Sequence, residues 1–384
     1  MKTLSFGVAR YVGALLSVAV LVALFLQPEP AAAATDDPAG RAAVTVMTRN
    51  VYLGGNLAVL AAASTPQAFI DGATALFASV QATDFNQRAE ALADEIAATQ
   101  PDLIGLQEVA LWRSAYPSGG LSPPNATHVE YDFLAILLDA LAARGFAYAP
   151  VAVLAETDIQ VPAGVNGNRC EIPAGFFLGH CRDIRFSDRE VILAKVARGA
   201  AAVSVTNAQS ATFLTNFMLP LPSGLGVYNE RRGWVAVDGE VRGHRFRLVS
   251  AHLHADVPFI QMAQAHEIVD GPAATPMPLI FVCDCNSPAD GSGTATYAYL
   301  RSNLRDAWTE KRPGDAGYTC CQAPNLFNEP SLLDERLDLV WLRGPLGAVE
   351  MRVVGDMEHE RTDSGLWPSD HAGVAARLLL GLGL

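Results

Sequence analysis

Six short polar clusters in this chain carry side chains able to do chemistry: Thr48-Arg49-Asn50, Leu106-Gln107-Glu108, Ser250-Ala251-His252-Leu253, Asp284-Cys285-Asn286-Ser287, Arg336-Leu337-Asp338-Leu339-Val340 and Ser369-Asp370-His371. Between them they offer four carboxylates, three primary amides and two imidazoles. Carboxylate and amide oxygens are hard donors suited to Mg²⁺, which takes one or two carboxylates plus water and substrate phosphate. A bound divalent cation neutralises phosphate charge and stabilises a leaving oxygen. A histidine paired with an aspartate has its tautomer fixed and its charged form stabilised, as proton transfer near neutral pH requires. Together these groups could hydrolyse a phosphoester with the help of a metal.

Such groups act only if rigid elements bring them to one place. Each cluster sits at the edge of an apolar run, and a strand that buries its body and presents a polar tip does this. Strands are expected at Val44–Thr48, Leu103–Leu106, Val191–Val196, Trp234–Val241, Arg245–Ala251, Leu279–Val282, Leu337–Leu342 and Ala372–Leu379. The turn Arg242-Gly243-His244 makes an antiparallel hairpin of two of them. Apolar residues at Ala89, Leu92, Ala93 and Ile96 predict a helix over Asn86–Gln100, stopped by Pro101. A second amphipathic helix spans Tyr131–Arg144, with Gly145 as its C-terminal cap. Residues 111–130 and 155–187 read as loop-like insertions. Interspersed strands and helices point to an α+β or layered α/β domain.

Half of the 384 residues are hydrophobic, enough for a large core. The first 34 residues read as an export signal: Lys2 and Arg10 are basic, Tyr11–Leu26 is apolar, and Ala31–Ala34 offers a small-residue cleavage site. That apolar run has 16 residues, short of the roughly 20 that a membrane span needs. A secreted protein cleaved near Ala34 is expected, with a polar lead-in over 35–43 and one catalytic domain over 44–384, working as a monomer. Loss of Lys2, Arg10 and Glu29 takes 27 basic and 40 acidic side chains to 25 and 39, a net charge of −14. That field repels polyanions, so a nucleic acid would have to be held by a local basic strip or by metal.

Six cysteines in an exported chain favour disulfides. Cys170 and Cys181 are expected to close a short Gly- and Pro-containing loop. Cys283, Cys285, Cys320 and Cys321 match no common structural zinc spacing. They are expected either to cross-link the two pairs or to form a vicinal bridge at Cys320–Cys321. The stretch from Gly199 to Asn229 holds no charged residue and is rich in Phe and Leu. It reads as a buried hairpin or flap, or else as an exposed apolar loop making transient contact with a lipid surface.

In this order the six clusters resemble the endonuclease/exonuclease/phosphatase superfamily, which includes DNase I-like nucleases, abasic-site endonucleases, inositol polyphosphate phosphatases and neutral sphingomyelinases. The resemblance spans about residues 44 to 380 and implies a four-layer α/β/β/α sandwich with its site at the open end between two sheets. It implies Glu108 as the principal Mg²⁺ ligand (Mn²⁺ being a possible substitute), with Asn50 beside it and Asp370 as a second metal-side carboxylate. Asp284 and Asn286 are implied to position the attacking water and the scissile phosphate. His371, oriented by Asp338, would contact the phosphoryl oxygen or accept a proton, and His252 would serve as general acid or phosphate clamp. His254, two residues along the same strand face, and Arg189 are weaker candidates for the rim and for phosphate. Cys283 and Cys285 replace the glycine and the hydrophobic residue usual around the Asp-x-Asn pair. The signatures of the inositol phosphatase and abasic-endonuclease branches are missing. A phosphodiester substrate of nuclease type is therefore expected, with a sphingomyelinase-like phospholipase C as the alternative and a non-catalytic surface-binding relative as a third class.

Overall fold

The computed structural model describes residues 41–381 apart from 122, 166–167, 172–179, 200–201 and 222–225. The proposed export segment 1–34 and most of the lead-in lie outside the described residues. Two sheets pack face to face. The first contains eight strands: Leu346–Val354, Gly373–Leu380, Ala43–Asn50, Leu103–Gln107, Cys181–Lys195, Leu111–Ala115 and His128–Asp132 in spatial order, with Tyr148–Gly164 also paired to Cys181–Lys195. The second runs Arg305–Asp306, Asp338–Arg343, Leu279–Asp284, His244–His252, Gly233–Val241 and Ser204–Thr212. Both sheets mix parallel and antiparallel pairs.

Successive strand residues point to opposite faces, and the packing follows that rule. Val46, Leu103 and Ile192 turn inward to meet Val235, Leu248 and Ile280 of the other sheet. Their neighbours Met47, Ile104 and Leu193 turn outward onto Phe69, Phe77, Leu92 and Phe133, which belong to helices Pro66–Ala82, Phe85–Thr99 and Phe133–Ala143. On the far side, Val249, Phe281 and Trp341 pack against Ala265, Ile268 and Leu300 of helices Pro258–Asp270 and Thr296–Asn303. With both faces buried, these strands read as unbroken apolar runs. Each fully buried large side chain contributes about 1.5–3 kcal/mol. The result is the four-layer α/β/β/α, DNase I-like arrangement expected, within the α+β class.

Three expectations need correction. The stretches 111–130 and 155–187 both contain strand, at 111–115 and 128–130 and at 155–164 and 181–187, and Tyr148–Gly164 with Cys181–Lys195 forms the longest hairpin of the described residues. Register shifts at Pro150/Ala152 and Ala155/Asp158 break the two-residue alternation that would have marked it as a strand. The second correction is helix Pro66–Ala82, which was not anticipated; Thr65 caps it by accepting from Ala68 N at 3.1 Å. The third concerns the cysteines. Cys170–Cys181 is bonded as expected and so is the vicinal pair Cys320–Cys321, but the alternative of cross-linking the two pairs fails, because Cys283 bonds Cys285. Cys283 and Cys285 flank Asp284 and face the outer helix layer.

The uncharged stretch divides between the two readings. Ser204–Thr212 is an edge strand of the second sheet, and Phe217–Pro220 pairs with Val227–Glu230 in a small hairpin. Phe213 is buried, whereas Leu214 is 93% exposed, Met218 62% and Val227 55%. Among the described residues no helix is long and apolar enough to cross a membrane.

Candidate active site

Strand register gathers the polar tips. In the first sheet Asn50 lies opposite Gln107 on the parallel neighbour, so Glu108 follows directly beside it. In the second sheet His252 is paired with Asp284, and Asp284 with Asp338, placing three site residues on one row across three strands. His371 stands just before the strand Gly373–Leu380, which runs antiparallel to Ala43–Asn50. The two rows face each other where the sheets come closest. A Cβ on Gly105 would collide with Ser250 and Val282 of the facing sheet, so only glycine allows this approach.

At the tips the backbone departs from strand geometry. Tyr52, Glu108 and Asn286 all have positive φ, at 57°, 57° and 49°. For non-glycine residues this conformation costs on the order of 1–3 kcal/mol and clusters at functional sites; it turns these side chains back toward the cleft. Asn50 Nδ2 donates to Asp284 Oδ2 at 2.9 Å and to Glu108 Oε1 at 3.2 Å, bridging the two sheets. Glu108 Oε2 accepts from Leu53 N at 2.8 Å. Asn286 N donates to Asp284 Oδ1 at 3.1 Å, and Asn286 Nδ2 lies 3.0 Å from His252 Nε2.

Asp284 Oδ2 is the focus of the row: His252 Nε2 lies 3.3 Å away and His371 Nε2 3.7 Å. Burial pushes its carboxyl up to about 6, with His371 opposing and Asp338 adding to the rise. His371 Nδ1 is 2.8 Å from Asp338 Oδ2. Burial alone would lower this imidazole, but Asp338 and Asp284 outweigh it and hold His371 well above the ordinary histidine range. His252 falls well below that range through burial, then Arg232, His371 and His254. The two histidines are thus in opposite charge states around one carboxylate.

Glu108 and half-buried Asp370 line a cleft of about 350 Å³ with Tyr52, Phe217, Tyr228, Glu230, Arg232 and Asp256. Burial first and then Glu108 push the Asp370 carboxyl up to about 7. Arg232 is the one cation among the described lining residues. Two acids on hard-oxygen terms in an otherwise acidic cleft are a donor set that fits a divalent cation. Asp284, Asp338 and His371 also bring three ligating atoms within 4.8 Å, but Asp338 is committed to His371 Nδ1.

Every residue singled out in the six clusters thus reaches this end of the sandwich. The two further candidates, Arg189 and His254, are engaged by neighbouring protein groups. Arg189 pairs with Asp132 at 2.6 Å and donates to the carbonyls of Val109 and Ala110, bracing the turn after Glu108. His254 is buried, 3.3 Å from Glu230 and stacked on Phe217 with ring centroids 5.2 Å apart.

Sequence reasoning missed three buried arginines. Arg49 makes a bidentate pair with Glu95, both bonds 2.9 Å, and also donates to the His371 carbonyl. Arg88 holds four carbonyls around the site, described below. Arg232 reaches His252, Asp188 and Glu230. Arg88 was detectable, because it falls in the apolar stripe of its helix beside Ala89 and Leu92. Arg232, one of two arginines before a strand, carried no such signal.

The sequence profile described as the endonuclease/exonuclease/phosphatase family matches residues 50–371. No curated protein matches the sequence. Among solved structures the chain is similar to an endonuclease/exonuclease/phosphatase from Bacteroides vulgatus, with 13% identity and a TM-score of 0.51 over 89% of this chain and 100% of that one. It is also similar to one from Beutenbergia cavernae, with 19% identity and a TM-score of 0.50 over 89% of this chain and 72% of that one. At such identities the likeness speaks for the fold.

Proposed function

The chain belongs to the endonuclease/exonuclease/phosphatase family of metal-dependent phosphoesterases, and from that premise we propose that it hydrolyses a phosphodiester by in-line attack of water at the open end between its sheets. The observation that carries this reading is the convergence of His252 and His371 on Asp284, itself tied through Asn50 to Glu108. Glu108, Asp370 and Asn50 would hold the cation, Mg²⁺ by the hardness of the donors, with Mn²⁺ as a substitute. When bound, the cation supplies neutralisation of phosphate charge and of the developing leaving oxygen.

The protein's own groups handle the protons. Asp284, whose carboxyl stands near 6, accepts the proton of the attacking water while Asn286 helps align it. As the new oxygen–phosphorus bond forms, the bond from phosphorus to the leaving oxygen breaks. His371, held protonated by Asp338, gives that oxygen its proton. His252, with so low a pKa, is unsuited to the general-acid role the resemblance offered it, and contacts a non-bridging phosphate oxygen instead.

A nuclease-like substrate is the first reading. A specific observation favours the second, a lipid head group cut in the manner of a phospholipase C. The described lining of the cleft sets Glu108, Glu230, Asp256 and Asp370 against a single arginine, which offers no track for a polyanion. Beside it, the hairpin that contributes Phe217 and Tyr228 also exposes Met218 and Val227, with Leu214 nearby in sequence. Export through residues 1–34 and action as a monomer complete the proposal. Phosphocholine release from sphingomyelin vesicles against nicking of plasmid DNA, each with Mg²⁺ and with EDTA, separates the substrates. Glu108→Ala, Asp284→Ala and His371→Ala should each lower turnover at least about a hundredfold, the usual scale for such a group. Retained activity in two of the three would overturn the site assignment.

A further inference from the structure

Asp284 is the residue on which both histidines converge, and its two chain neighbours are bonded to each other across it. In a regular strand, residues i and i+2 send their side chains out of the same face about 6.6 Å apart. A disulfide needs its two Cβ atoms only about 3.5–4.5 Å apart. The Cys283–Cys285 bond therefore cannot form on a straight strand; the chain has to fold in at the residue between them. It does so, and the two Cα atoms are 5.1 Å apart. Both cysteines are fully buried against the outer helix layer. Asp284 thus stands at the apex of the bend with its carboxylate turned the other way, onto Asn50 and His252. The strand Leu279–Asp284 ends at this residue, and two places on Asn286 has left strand geometry, with φ of 49°.

A bond that closes so short a ring removes little freedom from the unfolded chain, because that effect grows with loop length. Cys170–Cys181, 11 positions apart, is the better staple; Cys283–Cys285 spans 2 positions. What the shorter bond does fix is the direction of the chain at one residue. We propose that Cys283 and Cys285 are positioning residues of the reaction centre: their disulfide sets the bend that aims the Asp284 carboxylate, and adds little to global stability. Neither cysteine touches substrate. The proposal rests on the reading of Asp284 as the group that takes the proton from the attacking water, yet one arm of its test needs no substrate.

Peptide mapping of the unreduced full chain should find Cys283 linked to Cys285. Turnover of bis(p-nitrophenyl) phosphate with Mg²⁺ is then compared in Cys283→Ala, Cys285→Ala, the two combined, and Cys170→Ala/Cys181→Ala. Each variant that breaks the Cys283–Cys285 bond should lose about tenfold or more in kcat, with KM within about twofold, because a displaced base weakens the transition state and spares binding. The single and double losses should be equal, since one missing sulfur already breaks the bond. Two independently packed side chains would instead give losses that add in free energy. Melting temperatures should order the other way, with Cys170→Ala/Cys181→Ala losing more stability while keeping kcat. A crystal structure of Cys283→Ala/Cys285→Ala reads the same claim without substrate: the 2.9 Å bond from Asn50 Nδ2 to Asp284 Oδ2 should be broken. Additive losses, an unchanged kcat, an Asp284 still bonded to Asn50, or cysteines found unlinked would each overturn the proposal. A double variant that fails to fold would overturn it too, by making the bond a staple of the fold. Wild-type protein that cleaves no phosphodiester would sink the functional reading, and the variant structure would still decide whether the bond aims Asp284.

Discussion

Replacing Arg88 with methionine should cost the protein more stability than any ordinary surface change and should also weaken its hold on metal. Arg88 is fully buried and faces no carboxylate within bonding distance. Its Nε donates to Thr83 O at 2.7 Å, its Nη1 to Val51 O at 2.7 Å and Pro368 O at 3.0 Å, and its Nη2 to Tyr52 O at 3.0 Å. Burial lowers its pKa to about 10, still far above neutrality, so the group is charged in use. Its four acceptors belong to the turn after Asn50, the residue before the helix turn at Asp84, and the segment leading into Asp370. Methionine fills much of the volume but leaves four buried carbonyls without donors, each costing about 1–3 kcal/mol. Relief from burying an uncompensated charge offsets part of this, and a net loss of about 3–5 kcal/mol is expected from the carbonyls left without donors. Urea unfolding would read that directly, and Mg²⁺ titration of activity should show a raised metal requirement because Asp370 loses its anchor at Pro368. A loss below about 1 kcal/mol with an unchanged Mg²⁺ requirement would refute the reasoning.

Three further outcomes follow from the same geometry. Asp338→Asn removes the partner that most raises His371, so the imidazolium is destabilised and the alkaline limb of the kcat profile should move to lower pH; an unmoved limb would show that His371 is not the acid. Glu190, buried with one oxygen unpartnered, has its carboxyl pushed up to about 8 by burial. Because the folded value is raised, the stability it contributes is present below its ordinary value of about 4.3 and is lost as pH rises toward 8. Glu190→Gln should therefore raise the melting temperature more at high pH than at pH 5, and an equal change at both would contradict this. Leu214→Glu with Met218→Glu should lower hydrolysis of vesicle lipid and leave a soluble phosphodiester unaffected; equal loss on both would remove the hairpin from substrate approach.

Much of the fold was legible because both faces of the central strands are covered, which writes them as apolar runs such as Leu103–Leu106 and Leu279–Val282. The polar tips were legible because Asn50, Glu108 and Asp284 interrupt those runs where a strand has nothing left to bury. The long hairpin Tyr148–Gly164/Cys181–Lys195 was hidden by its bulges, whereas helix Pro66–Ala82 was legible in principle, since Phe69, Ile70, Ala73, Leu76, Phe77 and Val80 fall on one face at helical spacing. Arg232 could not be read at all. Its importance comes from pairing across the fold, with Asp188 44 positions away and His252 20 positions away, and no local pattern encodes a partner at that distance.

The close approach at Gly105 has a consequence for how this activity comes into being. Glu108 and Asn50 ride on one sheet, His252, Asp284 and Asp338 on the other, and neither set contains a complete reaction centre. The spacing between the sheets acts as an assembly checkpoint: a chain whose halves have formed but not yet docked is chemically silent, and one extra methyl at Gly105 would keep it so. Competence to cut a phosphodiester thereby depends on the two sheets being docked together as well as on each being formed.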